Sequence, residues 1–245
     1  MRKFGLIGKN IEYSFSAAFF AAKFKAENIN DASYENFDIE NITDFPSILK
    51  NNSNIKGLNV TIPYKELIIP YLDKLDKKAK KIGAVNTIKL TKKGYLKGYN
   101  TDYFGFKESL IPQLRLHHKS ALILGTGGAS KAISYALDKM NIPYHYVSRV
   151  ASENVSFTYK TLSDEDIKNN TIIINCTPIG TAPNIDECPD IPYKALTEKH
   201  LLFDLIYNPK MTRFLKKGQQ KNATTVNGLK MLKMQADKAW RIWNR

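Results

Sequence analysis

The chain has 245 residues, 43% of them apolar and 24% charged, which is enough for one or two domains with their own cores and too apolar for disorder. No apolar run approaches the roughly 20 residues that cross a bilayer, and Cys176 and Cys188 are too few for a disulfide scaffold. The net charge of +14 comes from lysines spread over the whole length. No zinc-finger spacing or basic-aromatic motif accompanies it, so neither nucleic acid nor a membrane is expected as a partner.

The opening apolar stretch, Phe4-Gly5-Leu6-Ile7-Gly8, is too short for a secretory signal, and a cytoplasmic location is expected. Strands are predicted at 4–8, 34–38, 55–61, 84–89 and 95–99, with helices at 17–27 and 64–75 between them. The lysine-rich segment 74–81 holds Asp76 and follows Asp73, and reads as a solvated helix face. A further helix closes at Leu110-Ile111-Pro112, and 114–120 reads as a polar connector. Beyond it, Ala121-Leu122-Ile123-Leu124 is an unbroken apolar run, the pattern of a parallel strand covered on both faces. Similar runs recur at 144–147, 171–174 and 201–205. The last segment puts Leu229, Leu232, Ala236, Ala239 and Trp243 at helical spacing. This alternation predicts an α/β protein in parts: an N-terminal α/β domain at 1–100, a second α/β domain at 101–227, and a C-terminal helix at 228–245 returning toward the first.

Directly after the strand at 121–124 come Gly125, Thr126, Gly127, Gly128 and Ala129, then Ser130 and a helix. Strand, glycine turn and helix in this order form a dinucleotide fingerprint: Gly125 allows the tight turn, Gly127 lets a pyrophosphate approach, and the helix N-terminus offers free N–H groups. The third fingerprint position is Ser130, a departure from glycine. The next strand ends at Val147, where NAD-binding folds place an acid on the ribose hydroxyl. Here Ser148 and Arg149 follow instead, and a guanidinium suits a 2′-phosphate, so NADP is favoured over NAD.

In the first half, Asn59-Val60-Thr61-Ile62-Pro63-Tyr64-Lys65 runs off a strand into a helix and puts Thr61 and Lys65 at a strand's carboxyl end. Asn86, within Gly83-Ala84-Val85-Asn86-Thr87, stands among apolar residues, and Asn100-Thr101-Asp102 precedes another helix. Taken singly, Asp102 suits an N-cap and Lys65 an exposed first turn. Ser14-Phe15-Ser16 likewise suits an N-cap, and its functional reading is a carboxylate cradle at a helix start. No histidine is well placed for proton transfer: His117 and His118 lie in the connector, and His145 and His200 have no evident partners. Four scattered histidines and two cysteines show no metal-ligand spacing, so no metal is expected, and Cys176 reads as a small buried residue.

These segments, with Asn175-Cys176-Thr177-Pro178-Ile179-Gly180, Tyr207, Asn227-Gly228-Leu229 and Gln235, occur in an order that resembles the shikimate dehydrogenase family. The resemblance implies reversible, NADPH-dependent reduction of 3-dehydroshikimate to shikimate, a step in aromatic amino-acid biosynthesis. It also implies an N-terminal substrate domain, a Rossmann domain, and a substrate site in the cleft between them. By match to the family's motifs, Lys65 and Asp102 are the catalytic pair. Ser14 and Ser16 bind the substrate carboxylate with Tyr207 nearby, and Thr61, Asn86, Asp102 and Gln235 contact ring hydroxyls. Gly125, Thr126, Gly127, Gly128 and Ala129 hold the pyrophosphate of NADP, Ser148 and Arg149 its adenosine end, and Leu205 and Gly228 lie near the nicotinamide. The family commonly has Asn-Arg-Thr where this chain has Ser148-Arg149-Val150. The chemistry agrees, because a lysine ammonium is a far stronger acid than an alcohol and can protonate the alkoxide that hydride delivery forms. The expected partners are small molecules, with the chain acting as a monomer or homodimer. The alternatives are a quinate/shikimate dual-specificity dehydrogenase and a non-catalytic NADP-binding regulatory module.

Overall fold

The computed structural model describes residues 1–12 and 14–245, which divide into two compact units: Met1–Thr101 with Gln235–Arg245, and Asp102–Met234.

The first unit is built on a six-stranded mixed sheet. Its strands are β1 (Arg2–Gly8), β2 (Ala32–Asp38), β3 (Ile55–Val60), β4 (Lys74–Leu75), β5 (Thr87–Leu90) and β6 (Leu96–Tyr99). Their order is β2-β1-β3-β5-β6-β4. β1 pairs in parallel with β2 and β3, whereas β5 runs antiparallel to both β3 and β6. Helices α1 (Phe15–Ala26), α2 (Phe45–Asn51), α3 (Tyr64–Leu67) and α4 (Lys77–Ile82) connect these strands. Ile7, Phe45, Ile48, Leu58, Tyr64 and Ile68 form one core layer. A second layer is aromatic and joins Phe4, Phe20 and Phe24 to Ala236, Ala239 and Trp243 of the last helix.

The helix expected over 64–75 does not form as one piece. α3 stops at Leu67, a 3₁₀ turn follows at Ile69–Tyr71, and β4 begins at Lys74. Pro70 has no N–H to give to a continuing helix and lies at the start of that turn. The strand expected from 84 begins only at Thr87, because Ala84 and Val85 use their backbone groups elsewhere: Val85 N donates to Lys65 O and Ala84 O accepts from Asn100 Nδ2. The lysine-rich segment 74–81 is a short strand and then α4, capped by Asp76 on Lys78 N.

The second unit opens with α5 (Asp102–Leu110) and has a wholly parallel sheet of β7 (Ala121–Leu124), β8 (Tyr144–Ser148), β9 (Phe157–Thr158), β10 (Ile172–Asn175), β11 (Leu201–Asp204) and β12 (Thr224–Val226). Its order is β12-β11-β10-β7-β8-β9. Like the doubly wound dinucleotide folds, it starts at a central strand and reverses direction beside it. The apolar runs of β7, β10 and β11 are buried on both faces, under α5 and α6 (Gly128–Asp138) on one side and α7 (Asp164–Asn169) and α8 (Arg213–Gln219) on the other, whereas in β8 only Val147 is fully buried. The last helix, α9 (Leu229–Trp243), starts in this unit, where Met231 is buried in its core, and from Gln235 onward belongs to the first. Among the described residues no helix is long and apolar enough to cross a membrane, and no group of three or more His, Cys, Asp or Glu could hold a metal.

Candidate active site

In the first unit the parallel register of β1, β2 and β3 brings Gly8, Asp38 and the residue after Val60 to one edge. Gly8 lies so close to Thr61 that an added Cβ would stand 2.5 Å from Thr61 Cγ2. Asp38 accepts the backbone N–H of Asn10 and of Ile11 at 2.9 and 2.8 Å, and Asn36 donates to Ile11 O. These bonds pin the loop that leads into α1. Ser14 caps that helix, its Oγ accepting Ser16 N at 3.2 Å, and Ser16 itself is buried.

Lys65 lies in the first turn of α3 and is partly exposed. Its carbonyl accepts Val85 N at 2.7 Å, so its backbone is fastened to the segment that delivers Asn86. Asn86 is buried and well partnered. Its Oδ1 accepts Thr101 N at 2.7 Å, and its Nδ2 donates to Thr101 Oγ1 at 2.9 Å and to Gln235 Oε1 at 3.2 Å. Thr101 Oγ1 also donates to Gln235 Oε1. Gln235 reaches this cluster because Trp243, two turns further along α9, is anchored: its ring stacks on Phe4 at 4.9 Å and its Nε1 donates to Ile88 O at 2.9 Å. Gly57 gives the indole room, since any Cβ there would collide with it. Thus Ser14, Ser16, Thr61, Lys65, Asn86 and Gln235 belong to one unit, while Asp102 and Tyr207 belong to the other. Asp102 is buried and is the first residue of α5, directly after Thr101.

In the second unit β7 ends at the point where the strand order reverses, between β8 and β10. Gly125 turns there at φ +100°, a left-handed conformation that favours glycine. Thr177 from the loop after β10 packs against this turn. Gly127 precedes α6, whose N-terminus has no side-chain cap, and a Cβ added at Gly127 would meet nothing within 4 Å. An open space above uncapped N–H groups fits a pyrophosphate. Ser130 is fully buried and its Oγ donates to Gly127 O at 2.7 Å, so a serine fills the third fingerprint position without crowding the turn. Ser148 ends β8, and Arg149 is exposed beyond it. Arg149, Arg213 and Lys217, together with Asp186, Glu187 and Asp190, line a hollow of about 500 Å³. Tyr159 lines the same hollow, and burial pushes its phenol up to about 12.

Residues 6–88 match the family model described as the shikimate dehydrogenase substrate binding domain. Over 98% of its length the chain is 40% identical to the NADP(+) shikimate dehydrogenase of Methanosphaera stadtmanae, 90% of which is covered. The chain belongs to the shikimate dehydrogenase family. Two solved members of the family share its fold. A shikimate dehydrogenase in complex with NADP+ has a TM-score of 0.87 at 36% identity, with 99% of this chain and 90% of that one covered. The Thermus thermophilus enzyme, in complex with NADP(H) and shikimate, has a TM-score of 0.87 at 29% identity, with 99% and 93% covered.

Within this family member, sequence reasoning missed Asp204. It is fully buried at the end of β11 and accepts Asn175 Nδ2 (3.1 Å), Ile206 N (3.0 Å) and Thr212 Oγ1 (2.6 Å). Burial pushes its carboxyl up to about 6, against the lowering effect of those three donors. Through Asn175, whose Oδ1 accepts Thr177 N and Oγ1, Asp204 fixes the loop beside the glycine turn. An acid inside the apolar run 201–205 was the available signal. Gly228 belongs to the same seam: its N–H donates to Ile206 O, and an added Cβ would collide with the Leu205 carbonyl. His200 does have partners, and they are structural: Nδ1 faces Thr197 N and Nε2 faces Ile167 O.

Proposed function

We propose that this chain reduces 3-dehydroshikimate reversibly to shikimate with NADPH, a cytoplasmic step of aromatic amino-acid biosynthesis, with Lys65 and Asp102 as its catalytic pair. The observation that carries the reading is the attachment of Lys65, through Val85 N, to the segment whose Asn86 gathers Thr101 and Gln235 into one buried polar cluster. A polyhydroxylated cyclohexene acid is recognised by fixed donors and acceptors of this kind placed around an amine.

Bound NADPH supplies the hydride. The Lys65 ammonium protonates the oxygen that becomes an alkoxide as the carbonyl is reduced, and the neutral amine takes that proton back in the oxidation. Asp102 orients Lys65 and accepts a hydrogen bond from the substrate. Ser14 and Ser16 hold the substrate carboxylate at the N-terminus of α1, where the helix dipole favours an anion. With its Oε1 committed to Asn86 and Thr101, Gln235 offers its NH2 to a ring hydroxyl, Thr61 and Asn86 serve the same ring, and Tyr207 serves the substrate. Gly125, Thr126, Gly127, Gly128 and Ala129 hold the pyrophosphate, Ser148 and Arg149 the phosphorylated ribose, and Leu205 and Gly228 the nicotinamide end. The partners are these small molecules, without nucleic acid or membrane, and the chain acts as a monomer or homodimer.

Steady-state kinetics of Lys65→Met tests the assignment. The expected fall in kcat is roughly 10²–10⁴-fold, the usual worth of general acid–base catalysis, with a much smaller change in the KM for shikimate. A variant with near-normal kcat removes Lys65 from the mechanism.

A further inference from the structure

Two backbone groups decide which way the side-chain amides of the buried cluster around Asn86 are turned. Thr101 N can only donate, so the Asn86 atom 2.7 Å from it is Oδ1, and Nδ2 is the atom that donates to Thr101 Oγ1 and Gln235 Oε1. Asn86 O can only accept, so Asn59 turns its Nδ2 toward it at 3.2 Å and leaves Oδ1 to accept the Tyr34 hydroxyl at 2.9 Å. Asn59 Nδ2 also donates to Thr87 Oγ1, whose own proton goes to Asn86 Oδ1 at 3.1 Å. Asn86 Oδ1 then carries one donor on each lone pair, the Thr101 N–H and the Thr87 hydroxyl. That leaves the Thr101 hydroxyl proton for Gln235 Oε1 at 3.2 Å, a shorter contact than the 3.3 Å to Thr87 Oγ1. Asn59, Asn86, Thr87, Thr101 and Gln235 are all buried, so an amide turned the wrong way would set donor against donor with little water to relieve it.

We propose that Thr101 is a positioning residue for the substrate: its backbone N–H sets the Asn86 amide, and its hydroxyl joins Asn86 Nδ2 on Gln235 Oε1, so that the Gln235 NH2 is presented as a fixed donor to a ring hydroxyl oxygen. This rests on the assignment of Gln235 made above. Among the described residues Gln235 bonds through Oε1 alone. The last torsion of a free glutamine is broad and roughly twofold, so an unheld amide offers an acceptor as readily as a donor. Here the turned-over amide would bring its own N–H groups against Asn86 Nδ2, which cannot turn in response because Thr101 N holds Oδ1. Two donors on one oxygen therefore make the choice before the ligand arrives, and Thr101 supplies one of them and fixes the other.

The test is steady-state kinetics of Thr101→Val, Thr101→Ser, Gln235→Ala and the pair of Thr101→Val with Gln235→Ala. Valine keeps the shape and the backbone N–H but removes the hydroxyl, whereas serine keeps the hydroxyl. Thermal unfolding of each variant separates a loss of fold from a loss of positioning. Thr101→Ala, which also lacks the hydroxyl, takes the place of a valine variant that is unfolded at the assay temperature. The expected result is a roughly three- to tenfold higher KM for shikimate in Thr101→Val, the size of one hydrogen bond, with kcat and the KM for NADP within about twofold. Thr101→Ser should stay within about twofold of the wild type throughout. In the Gln235→Ala background the valine should add almost nothing, because Thr101 acts through Gln235. An unchanged KM for shikimate in Thr101→Val, an equal rise in both KM values, an equal loss in Thr101→Ser, or additive effects in the cycle would overturn the inference. A wild-type chain that does not oxidise shikimate overturns the functional reading and this inference with it. Turnover by the wild type with an unmoved Thr101→Val overturns the inference alone.

Discussion

Replacing Trp243 by Ala tests how the last helix brings Gln235 to the buried polar cluster. Trp243 is 6% exposed, stacks on Phe4 at 4.9 Å, lies 5.5 Å from the ring of Phe20 and donates to Ile88 O. Truncating a buried aromatic of this size costs about 3–5 kcal/mol, and the lost hydrogen bond adds about 1. That sum is comparable to the whole stability of a small unit, which lies at about 5–15 kcal/mol. Gln235 sits eight residues earlier on α9, about 12 Å along the helix axis. Loosening the C-terminal turns therefore withdraws the side chain that bonds Asn86 and Thr101. Both tryptophans of the chain, Trp240 and Trp243, lie in the first unit, so urea unfolding followed by the fluorescence of the remaining Trp240 reports on that unit. The expected outcome is a large drop in the unfolding midpoint with a raised KM for shikimate, and a milder Trp243→Phe that keeps an aromatic ring and loses the N–H. An unchanged midpoint for Trp243→Ala, or a lowered midpoint with an unchanged KM for shikimate, would show that Trp243 does not hold Gln235 in place.

Two further outcomes follow from the second unit. Arg149→Ala should raise the KM for NADP by roughly 10- to 100-fold, the worth of a hydrogen bond to a charged group, and leave the KM for NAD nearly unchanged, as parallel kinetics with the two cofactors would reveal. Asp204 has a folded pKa of about 6 against an ordinary carboxyl value of 3.8, so the native state holds its proton more tightly than the unfolded chain. Its contribution to stability is fully present below about pH 4 and is lost as the pH rises through about 6, a swing of about 3 kcal/mol. Denaturant midpoints measured across this window should show the loss in the wild type and not in Asp204→Asn; parallel profiles would contradict it.

The parallel sheet of the second unit was legible because runs such as Ala121–Leu124 are buried on both faces and leave no polar alternation to misread. The glycine turn was legible for a related reason: strand, turn and helix are contiguous, so local sequence carries the whole device. Contacts between distant residues were not. Asp204 meets Asn175 from 29 residues away, and Asn86 meets Gln235 from 149 residues away. No spacing rule joins such pairs before the sheets are assembled. Tyr34 reads as an ordinary strand residue until Asn59, 25 residues on, is seen to accept its hydroxyl. The region after Lys65 misled for a local reason. Its apolar pattern suits a helix, but Pro70 withdraws one N–H, and the backbone at Ala84 and Val85 serves Asn100 and Lys65 in place of a longer strand.

The most direct measurement is the absorbance of reduced nicotinamide while the purified chain oxidises shikimate, run side by side with NADP and NAD, and with quinate in place of shikimate. Rapid reduction of NADP that depends on shikimate, with slower reduction of NAD and little turnover of quinate, is the expected outcome. Tight NADPH binding without turnover of either acid would contradict it and leave a cofactor-binding protein that performs no hydride transfer.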